Sequence, residues 1–518
     1  MRESVSERSK THPQLRPIAT VTQPRQPVGW PAWQLREGVA TGRLRVVDIV
    51  DAHLERLDAV QPALNAAVTI RREAALREAE QLQSAVDAEQ PVGVLCGVPF
   101  TVKDVIATAG TTTSCGSAAF LDNVPDTDAV AVRRLREAGA VLIAKTNCPE
   151  FAFGVTSDNV IHGVTRSPWG PHSPGGSSGG EAALVAAGAS AVGIGTDYGG
   201  SLRWPGQCCG VLALRPGVGR VDGTGQLPEV GGRMDGTAPA APDDLSVQRR
   251  FQVVGPIART VRDLAITLAV ISADPELLEI AIGQGPEQAA AALEGVSVGW
   301  MAFESSQRVG AGVQLVIAAA AAALADIGVA VEETPGVMDG LHDAFNELRA
   351  TDRLADLRAA VGARRDLLGA TARTILDSAP LSDADPVPLQ GELARLRQRV
   401  ARQLKRTPVL LLPVAATAAC SLDGTAIVDG ELLSGFELMA QCRAVTALGM
   451  PALSLPVGQD NGLPVSVQVV TGPGREDLAL RVGLVLEQLL GGCQPPPWLP
   501  SVPAHPIPTT AKDSSWRT

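Results

Sequence analysis

The chain has 518 residues, of which 44 are Lys or Arg and 55 are Asp or Glu, so its formal net charge at pH 7 is −11. Nucleic acid is therefore disfavoured as the main partner, because phosphate binding needs a positive face and the sequence contains no cluster of Lys and Arg. The eight cysteines are few for this length and no C-x-x-C pair occurs, which argues against a disulfide framework and against a zinc site.

Both ends of the chain differ in composition from its middle. Residues 1–26 are polar, with prolines and scattered charge, and predict a flexible tail without the apolar segment of a secretory signal. Residues 494–518 are rich in proline and predict an extended tail. We interpret residues 27–493 as one large domain. No apolar run reaches the ~18 residues of a membrane span, so the sequence predicts a cytoplasmic protein with no membrane partner.

Strand and helix patterns alternate along this domain. The strand over residues 98–103 carries Lys103 at its carboxyl end, because Val98, Phe100 and Val102 alternate with polar neighbours. The predicted elements are, in chain order, a helix over residues 47–57 that ends at Gln61-Pro62, the strand over 98–103, a helix over 126–140 closed by Gly139, a strand over 141–145, a helix over 181–187, a strand over 191–197, two strands around an Asn461-Gly462 turn within 451–470, and a helix over 476–490.

This alternation predicts an α/β fold, namely a single large α/β/α sandwich around a central, mostly parallel mixed sheet. Ligands of such sheets bind at the carboxyl ends of the strands. Two regions fit the alternation less well. Residues 223–247 are rich in Gly and Pro and too long for an ordinary connection, which predicts a functional or mobile loop. Residues 338–406 are helical and polar and could cover one end of the sheet.

The stretch SPGGSSGGEAALVAAG, residues 173–188, places two adjacent serines inside a glycine-rich segment. A phosphate-binding loop is disfavoured, because Gly180 precedes Glu181 where such a loop has Lys followed by Ser or Thr. The G-x-S-x-G pattern of a nucleophile elbow is matched at residues 176–180. That elbow follows a strand directly, whereas the preceding TRSPWGPHSP holds three prolines that prevent a central strand.

Another interpretation joins this stretch to two other segments, GVPFTVKD with Lys103 and GTDYGGSLRWPG with Ser201. A serine hydroxyl is a poor nucleophile without a base. His162, His172 and His342 remain as candidate bases. No neighbouring residue in the sequence suggests that any of them acts as the base. Lysine is then the candidate base, because burial in an apolar strand lowers its pKa and favours the neutral form. Ser177 could relay the proton between Lys103 and Ser201.

These segments together resemble the amidase signature family of amide hydrolases. The core GGSSGGEAALVAAG…GTDYGGSLRWPGQCCGVLALRP is close to the defining stretch of that family, and the spacing of the two serines, 201 − 177 = 24 residues, is that of the family. The resemblance covers most of the chain and misses both tails. It implies a Ser-cisSer-Lys triad with Ser201 as nucleophile, Lys103 as base and Ser177 as the bridging serine on a cis, non-proline peptide bond. It also implies a serine acyl-enzyme and no metal or cofactor.

Residues around the predicted triad have expected roles as well. Ser178 would either hydrogen-bond the lysine or cap the following helix. Asp197 and Arg203 would orient the loop of the nucleophile. The backbone N–H groups that map onto the oxyanion hole are those of Tyr198, Gly199, Gly200 and Ser201.

Two positions depart from the family pattern. Tyr198 stands where the family has a small residue or threonine, and its side chain would narrow the site. Trp204 is predicted to face the substrate pocket, which favours an apolar or aromatic acyl group over a carboxylate. The predicted function is cleavage of the amide bond of such a small molecule, and a homodimer is compatible with the sequence. The alternative is the glutaminase (A) subunit of a tRNA-dependent amidotransferase complex, which shares the triad.

Overall fold

The computed structural model of the protein describes residues 27–227, 246–283, 285–301, 308–380 and 387–499. The predicted tail over residues 1–26 lies outside these ranges, as do residues 500–518 of the predicted C-terminal tail and residues 228–245 of the Gly/Pro-rich stretch. Within the described ranges, no helix is both long enough and apolar enough to cross a membrane.

A large sheet forms the centre of the fold. Eleven of the strands in the described ranges belong to it, in the order β1-β3-β2-β6-β8-β7-β14-β15-β11-β9-β10, while β4 pairs with β5 and β12 with β13 in two small hairpins. The strands are β1 (Ala67–Ile70), β2 (Pro99–Lys103), β3 (Val141–Thr146), β4 (Asp158–Asn159), β5 (Gly163–Val164), β6 (Val192–Asp197), β7 (Leu212–Arg215), β8 (Val253–Ala258), β9 (Ser297–Trp300), β10 (Ala330–Glu333), β11 (Val409–Pro413), β12 (Thr425–Val428), β13 (Glu431–Ser434), β14 (Ala452–Asp460) and β15 (Leu463–Thr471).

Helices flank this sheet, as the α/β pattern predicts. In the described ranges they are α1 (Ala32–Ala40), α2 (Val46–Leu64), α3 (Arg72–Asp87), α4 (Val130–Glu137), α5 (Gly179–Ala186), α6 (Arg203–Cys209), α7 (Val247–Phe251), α8 (Val261–Ser272), α9 (Glu276–Gly283), α10 (Pro286–Ala291), α11 (Ala311–Asp326), α12 (Leu341–Ala350), α13 (Ala355–Val361), α14 (Ala370–Ser378), α15 (Val387–Leu404), α16 (Ala440–Leu448) and α17 (Glu476–Leu490). The polar region 338–406 thus holds α12 to α15.

The α/β fold with a mixed sheet is confirmed, but the expectation that the sheet is mostly parallel needs correction. Of the ten neighbouring strand pairs in the described ranges, four are parallel and six antiparallel. The physical reason lies in the connections. A two-residue Asn461-Gly462 turn joins β14 to β15, and such a short turn permits only an antiparallel pair. Strand β8 lies between β6 and β7 and runs antiparallel to both.

One predicted helix end is also displaced. Helix α2 continues through Pro62 to Leu64 and ends at Asn65, whose left-handed backbone places its N–H on the carbonyl of Gln61. Proline removes one helical hydrogen bond, and here the last turn nevertheless buries Leu64 completely. Burial of that side chain offsets the lost bond.

Two parallel strands in the interior of the sheet position the candidate site residues. Strand β2 pairs with β6, with Phe100 opposite Val192 and Val102 opposite Ile194, and every residue of both strands is buried. Parallel strands end on the same edge of a sheet. Lys103, the last residue of β2, therefore lies on the same edge as the turn that follows β6.

Candidate active site

Lys103 is fully buried at the carboxyl end of β2. Its Nζ donates hydrogen bonds to Ser177 Oγ at 2.5 Å and to Thr196 Oγ1 at 2.9 Å. Burial lowers the pKa of Lys103 to about 8, because apolar surroundings penalise the ammonium form more than the nearby acidic groups stabilise it. A lysine with this pKa has a substantial neutral fraction near pH 8 and can accept a proton there.

Ser177 lies inside the glycine-rich segment, two residues before the start of α5, and the peptide bond from Gly176 to Ser177 is cis, as the family resemblance implies. The segment packs tightly against the chain around residues 154–156. A Cβ on Gly176 would lie 2.5 Å from the carbonyl oxygen of Thr156, so only glycine fits at that position. This contact holds the backbone in place beside Lys103.

Ser201 ends the short turn that follows β6. Its carbonyl accepts a hydrogen bond from the N–H of Ser178 at 3.2 Å, which ties this turn to the first residues before α5. Ser177 and Ser201 both line one cavity of about 310 Å³, and Tyr198 and Gly199 belong to the same wall. The structure thus brings the three predicted triad residues, from three separate segments, to one place.

A buried ion cluster fixes the turn of Ser201 from behind. Asp197 accepts from Arg203 Nε at 3.0 Å and from Arg203 Nη2 at 2.9 Å, and Arg215 Nη1 lies 3.4 Å from the same carboxylate. Burial alone would raise the pKa of Asp197, but the two guanidinium groups outweigh it and hold that pKa well below its usual range. Arg203 also donates to Gln468 and Thr446, which anchors the turn to the far half of the sheet.

The same cluster corrects the predicted set of oxyanion donors. The N–H of Gly200 donates to Asp197 Oδ1 at 2.9 Å and so points into the ion cluster. Gly200 therefore serves the shape of the turn, whereas the N–H groups of Gly199 and Ser201 have no acceptor within the described parts of the chain. Preorganised N–H groups of this kind can stabilise a developing negative charge.

Substitution of Gly200 by alanine is expected to lower kcat/KM for an amide substrate by about 100-fold, the usual cost of displacing a reacting group by about 1 Å. Gly200 has a φ of 115°, which side chains rarely adopt, and its Cβ would lie 2.5 Å from Cys442 Cβ. The turn must then shift and carry Ser201 with it. Steady-state hydrolysis rates check this, with Gly462→Ala as control, since that glycine also has a positive φ but no atom within 4 Å of its Cβ. Equal losses in the two variants would contradict the prediction.

Ser178 makes neither of the two contacts expected for it. Its hydroxyl donates to the carbonyl of Thr196 at 3.3 Å and accepts from the Thr196 N–H at 3.4 Å, and no side-chain cap bond forms at the start of α5. The reason is that Gly195, which lacks a side chain, lets Ser178 approach β6 closely. The role of Ser178 is therefore to dock α5 on the strand that precedes the nucleophile turn.

The prediction that Trp204 faces the substrate pocket is wrong. Its side chain is fully buried, and its Nε1 donates to the carbonyl of Val155 at 3.0 Å. The ring belongs to a small hydrophobic cluster with Cys208, Val414 and Leu438. Helix α6 begins at Arg203, so Trp204 is the second residue of its first turn. This turn directs the Trp204 side chain into the hydrophobic cluster and away from the cavity.

Part of the remaining cavity wall comes from the polar region 338–406, which the sequence indicates as a cover over one end of the sheet. Apolar surface is supplied by Phe153, Leu354, Ile375, Phe436 and Met439. The charged residues that line the cavity, within the described ranges, are Arg349, Asp352 and Arg443. No local motif marks them, since helical arginines usually indicate a solvated face.

None of the histidines and cysteines that the structure describes lines the cavity. In the ranges that the structure describes, His162 contacts Ser114 and His342 contacts Asn346, and neither histidine lines the cavity. All eight cysteines are unpaired and seven are buried. Among described residues no group of three His, Cys, Asp or Glu side chains is arranged as a metal site requires.

The chain is similar to known proteins over most of its length. Residues 48–480 match the protein-family model described as Amidase. The A subunit of the glutamyl-tRNA(Gln) amidotransferase of Nitratidesulfovibrio vulgaris (strain DP4) is 33% identical over 494 residues, covering 88% of this chain and 96% of that protein. Among solved structures, a crystal structure of an amidase superposes with a TM-score of 0.77 at 29% identity, covering 89% of this chain and 100% of that one. A bacterial aryl acylamidase of the amidase signature family has a TM-score of 0.74 at 25% identity, with coverages of 90% and 97%.

Proposed function

The chain belongs to the amidase signature family, and on that premise we propose that it hydrolyses a small amide with Ser201 as nucleophile, Ser177 as bridge and Lys103 as base. The observation that carries the proposal is the hydrogen bond of 2.5 Å between Lys103 Nζ and Ser177 Oγ, beside a cavity that Ser201 also lines. A neutral lysine can accept the proton of Ser177, which in turn accepts that of Ser201.

The proposed reaction proceeds in two acyl transfers. Ser201 Oγ attacks the amide carbon, and its proton passes through Ser177 to Lys103. The negative charge that develops on the carbonyl oxygen is stabilised by the N–H groups of the turn, with Gly199 and Ser201 as the favoured donors. The proton then returns through Ser177 to the leaving nitrogen, and an acyl-enzyme remains on Ser201. Water attacks this ester by the same relay, which releases the carboxylic acid and restores the serine.

Activity is expected to rise with pH through the pKa of Lys103, which is about 8. A general base works only when it is deprotonated, so kcat/KM increases about tenfold per pH unit below pH 8 and levels off above it. A profile of kcat/KM from pH 6 to pH 10 checks this. A rate that is highest in acid would contradict the assignment of a lysine base.

The substrate is proposed to be a small amide whose acyl group contacts apolar surface. Trp204 does not line the cavity and so does not support this proposal. Phe153, Phe436 and Met439 supply apolar surface on the cavity wall instead. A volume of about 310 Å³ is at the lower end for ligand pockets and suits a small molecule. The direct test is ammonia release from a panel of aliphatic and aromatic primary amides. Release that depends on Ser201 supports the proposal, and no release from any of them argues against it.

We also propose that residues 27–493 act as one domain in the cytoplasm. Support for the compartment comes from the eight unpaired cysteines, since reduced thiols are usual where glutathione is abundant. The oligomeric state is a separate question, and a homodimer is compatible with this proposal.

A second candidate is the glutaminase subunit of a tRNA-dependent amidotransferase. The relatives named as A subunits of glutamyl-tRNA(Gln) amidotransferases favour it, at 30–33% identity over most of this chain. A matched pair of amides separates the two candidates, because glutamine is glutaramate with an added α-ammonium group. Strong preference for glutamine, together with co-purification of partner subunits, would support the glutaminase. Equal or better hydrolysis of glutaramate by the isolated chain would support the free-standing amidase.

A further inference from the structure

Arg443 is a buried cation without an acidic partner. It lies in α16, is 2% exposed, and donates from Nε at 3.1 Å and from Nη2 to the amide oxygen of Asn346. No carboxylate in the described ranges forms an ion pair with it. Burial lowers the pKa of Arg443 to about 9, and the positive charge of Arg349 acts in the same direction. A buried guanidinium whose hydrogen bonds go to a neutral amide and which otherwise lies over aromatic rings still lacks a counter-ion, and buried charges are ordinarily paired with an anion.

A second arginine faces the same space from the neighbouring helix. Arg349 in α12 has its guanidinium 5.3 Å from the ring centre of Phe436, and Arg443 has its own 4.5 Å from the same ring. Both arginines and Phe436 line the cavity. The side chain of Arg349 has no hydrogen-bond or ion-pair partner within the part of the chain that the structure describes. Two guanidinium groups therefore converge on one aromatic ring inside the cavity.

Asp352, the acidic side chain among the described residues of the cavity wall, does not neutralise this pair. Asp352 accepts from the N–H of Gln248 at 2.8 Å and from the N–H of Leu354 at 3.1 Å, so both carboxylate oxygens serve backbone groups. Neither Arg349 nor Arg443 forms an ion pair with Asp352. The described lining residues of the cavity thus carry an excess of positive charge.

Arg443 also lies close to the nucleophile turn. Its Nη1 would be only 3.1 Å from a Cβ placed on Gly199, so the guanidinium packs directly against the turn that carries Ser201. Nη1 is the guanidinium nitrogen that Asn346 does not engage. A negative group bound there would be separated by only a few bonds from a carbonyl that Ser201 attacks.

We propose that Arg443 and Arg349 bind an ionised carboxylate on the acyl side of the substrate, which makes the substrate a monoamide of a short dicarboxylic acid. This inference rests on the proposed amide hydrolysis and names its substrate class. A guanidinium binds a carboxylate through two parallel N–H···O bonds, and these charge-assisted bonds are among the strongest in proteins. The proposal reverses the expectation, drawn from Trp204, that the acyl group carries no carboxylate.

The test compares amides of matched shape that differ in charge. Succinamate and glutaramate carry the carboxylate, and 4-oxopentanamide and 5-oxohexanamide replace it by a methyl ketone. We expect kcat/KM for the two carboxylates to exceed that for the two ketones by at least about 10-fold. We expect Arg443→Met and Arg349→Met each to lower the carboxylate values by about 10- to 100-fold and the ketone values by less than about 3-fold.

Arg262→Met is the matched control, because Arg262 also lies over an aromatic ring, 4.6 Å from the centre of Trp33, but does not line the cavity. Arg262→Met should leave the preference for the carboxylate amides over the ketone amides unchanged. Equal kcat/KM for carboxylates and ketones, or equal losses for both classes in the two cavity variants, would overturn the proposal. Arg349→Met keeps the test valid if the buried Arg443→Met protein fails to fold, since Arg349 is only half-buried.

A binding measurement separates this inference from the proposed function. Glutarate is titrated calorimetrically into Ser201→Ala protein and into the double variant Ser201→Ala/Arg349→Met, with a loss of affinity of at least about 10-fold expected in the second. Absence of glutarate binding overturns the carboxylate site. If wild-type protein hydrolyses neutral amides without preferring carboxylates, this inference fails while the proposed function stands. If glutarate binds through Arg349 but no amide is hydrolysed, the carboxylate site stands and the proposed function fails.

Discussion

Replacement of Ser201 by alanine is expected to lower kcat for amide hydrolysis by about 10⁴-fold or more, because groups that act as one catalytic unit fail together. No acyl-enzyme can form without the Ser201 hydroxyl. The other serine of the proposed triad, Ser177, receives a hydrogen bond from Lys103 and would lose its proton-transfer partner. Ammonia release and intact-mass detection of the acyl-enzyme measure the effect.

The control for this variant is Ser454→Ala, which removes a buried serine hydroxyl outside the cavity. That protein should hydrolyse amides at a rate near that of the wild type. If Ser201→Ala retains a rate within about tenfold of the wild type, a different nucleophile must act and the triad assignment is wrong.

Asp197→Asn is expected to destabilise the folded protein by about 3–5 kcal/mol, the usual cost of removing one partner from a buried ion cluster. The substitution leaves Arg203 and Arg215 as two fully buried cations without their counter-ion. It also removes the charge that attracts the N–H of Gly200 and shapes the turn of Ser201. The free energy of unfolding, from denaturant titration, measures the loss.

Asp477→Asn is the matched control for that loss. Asp477 forms an ion pair with Arg475 on the surface, with 53% and 36% of the Arg475 and Asp477 side chains exposed. Exposed pairs contribute about 0–1 kcal/mol, so the midpoint of unfolding should barely move. Equal destabilisation by the two substitutions would contradict the prediction, because it would show that the buried ion cluster around Asp197 stabilises the fold no more than a surface ion pair does.

The residues of the proposed triad can be found in the sequence because each of them lies in a short motif. Lys103 ends an alternating strand, Ser177 stands among glycines, and Ser201 follows a buried strand and two glycines. The cis bond at Ser177, which the resemblance implies, is present. These features are local in the chain, so patterns of a few residues reveal them.

What the sequence does not reveal depends on contacts between distant segments. Arg349 and Arg443 are 94 residues apart (443 − 349 = 94), and only the packing of α12 on α16 brings them to one ring of Phe436. The error on Trp204 has the same origin, because the direction of its side chain depends on where α6 begins. The sequence alone counts Gly200 among the oxyanion donors. Only the structure shows that its N–H points to Asp197 instead.

The direction of the strands escaped prediction for a related reason. Alternating helices and strands indicate crossovers, and crossovers favour parallel pairs. Strand β8 nevertheless inserts between β6 and β7 and runs against both, which no local pattern of apolar residues records. The direction of β8 depends on its pairing partners, which lie elsewhere in the chain.

Different segments of the chain form the two walls of the cavity, and this separation has a consequence for evolution. Residues 103–201 supply the proposed reacting groups, while α7, α12, α14, α16 and the segment between Gly435 and Met439 contribute to the rest of the wall. Changes in these later segments can alter which acyl group is accepted while the reacting groups stay unchanged. A lineage can therefore explore new substrates through α12 and α16 without first losing its ability to break the bond.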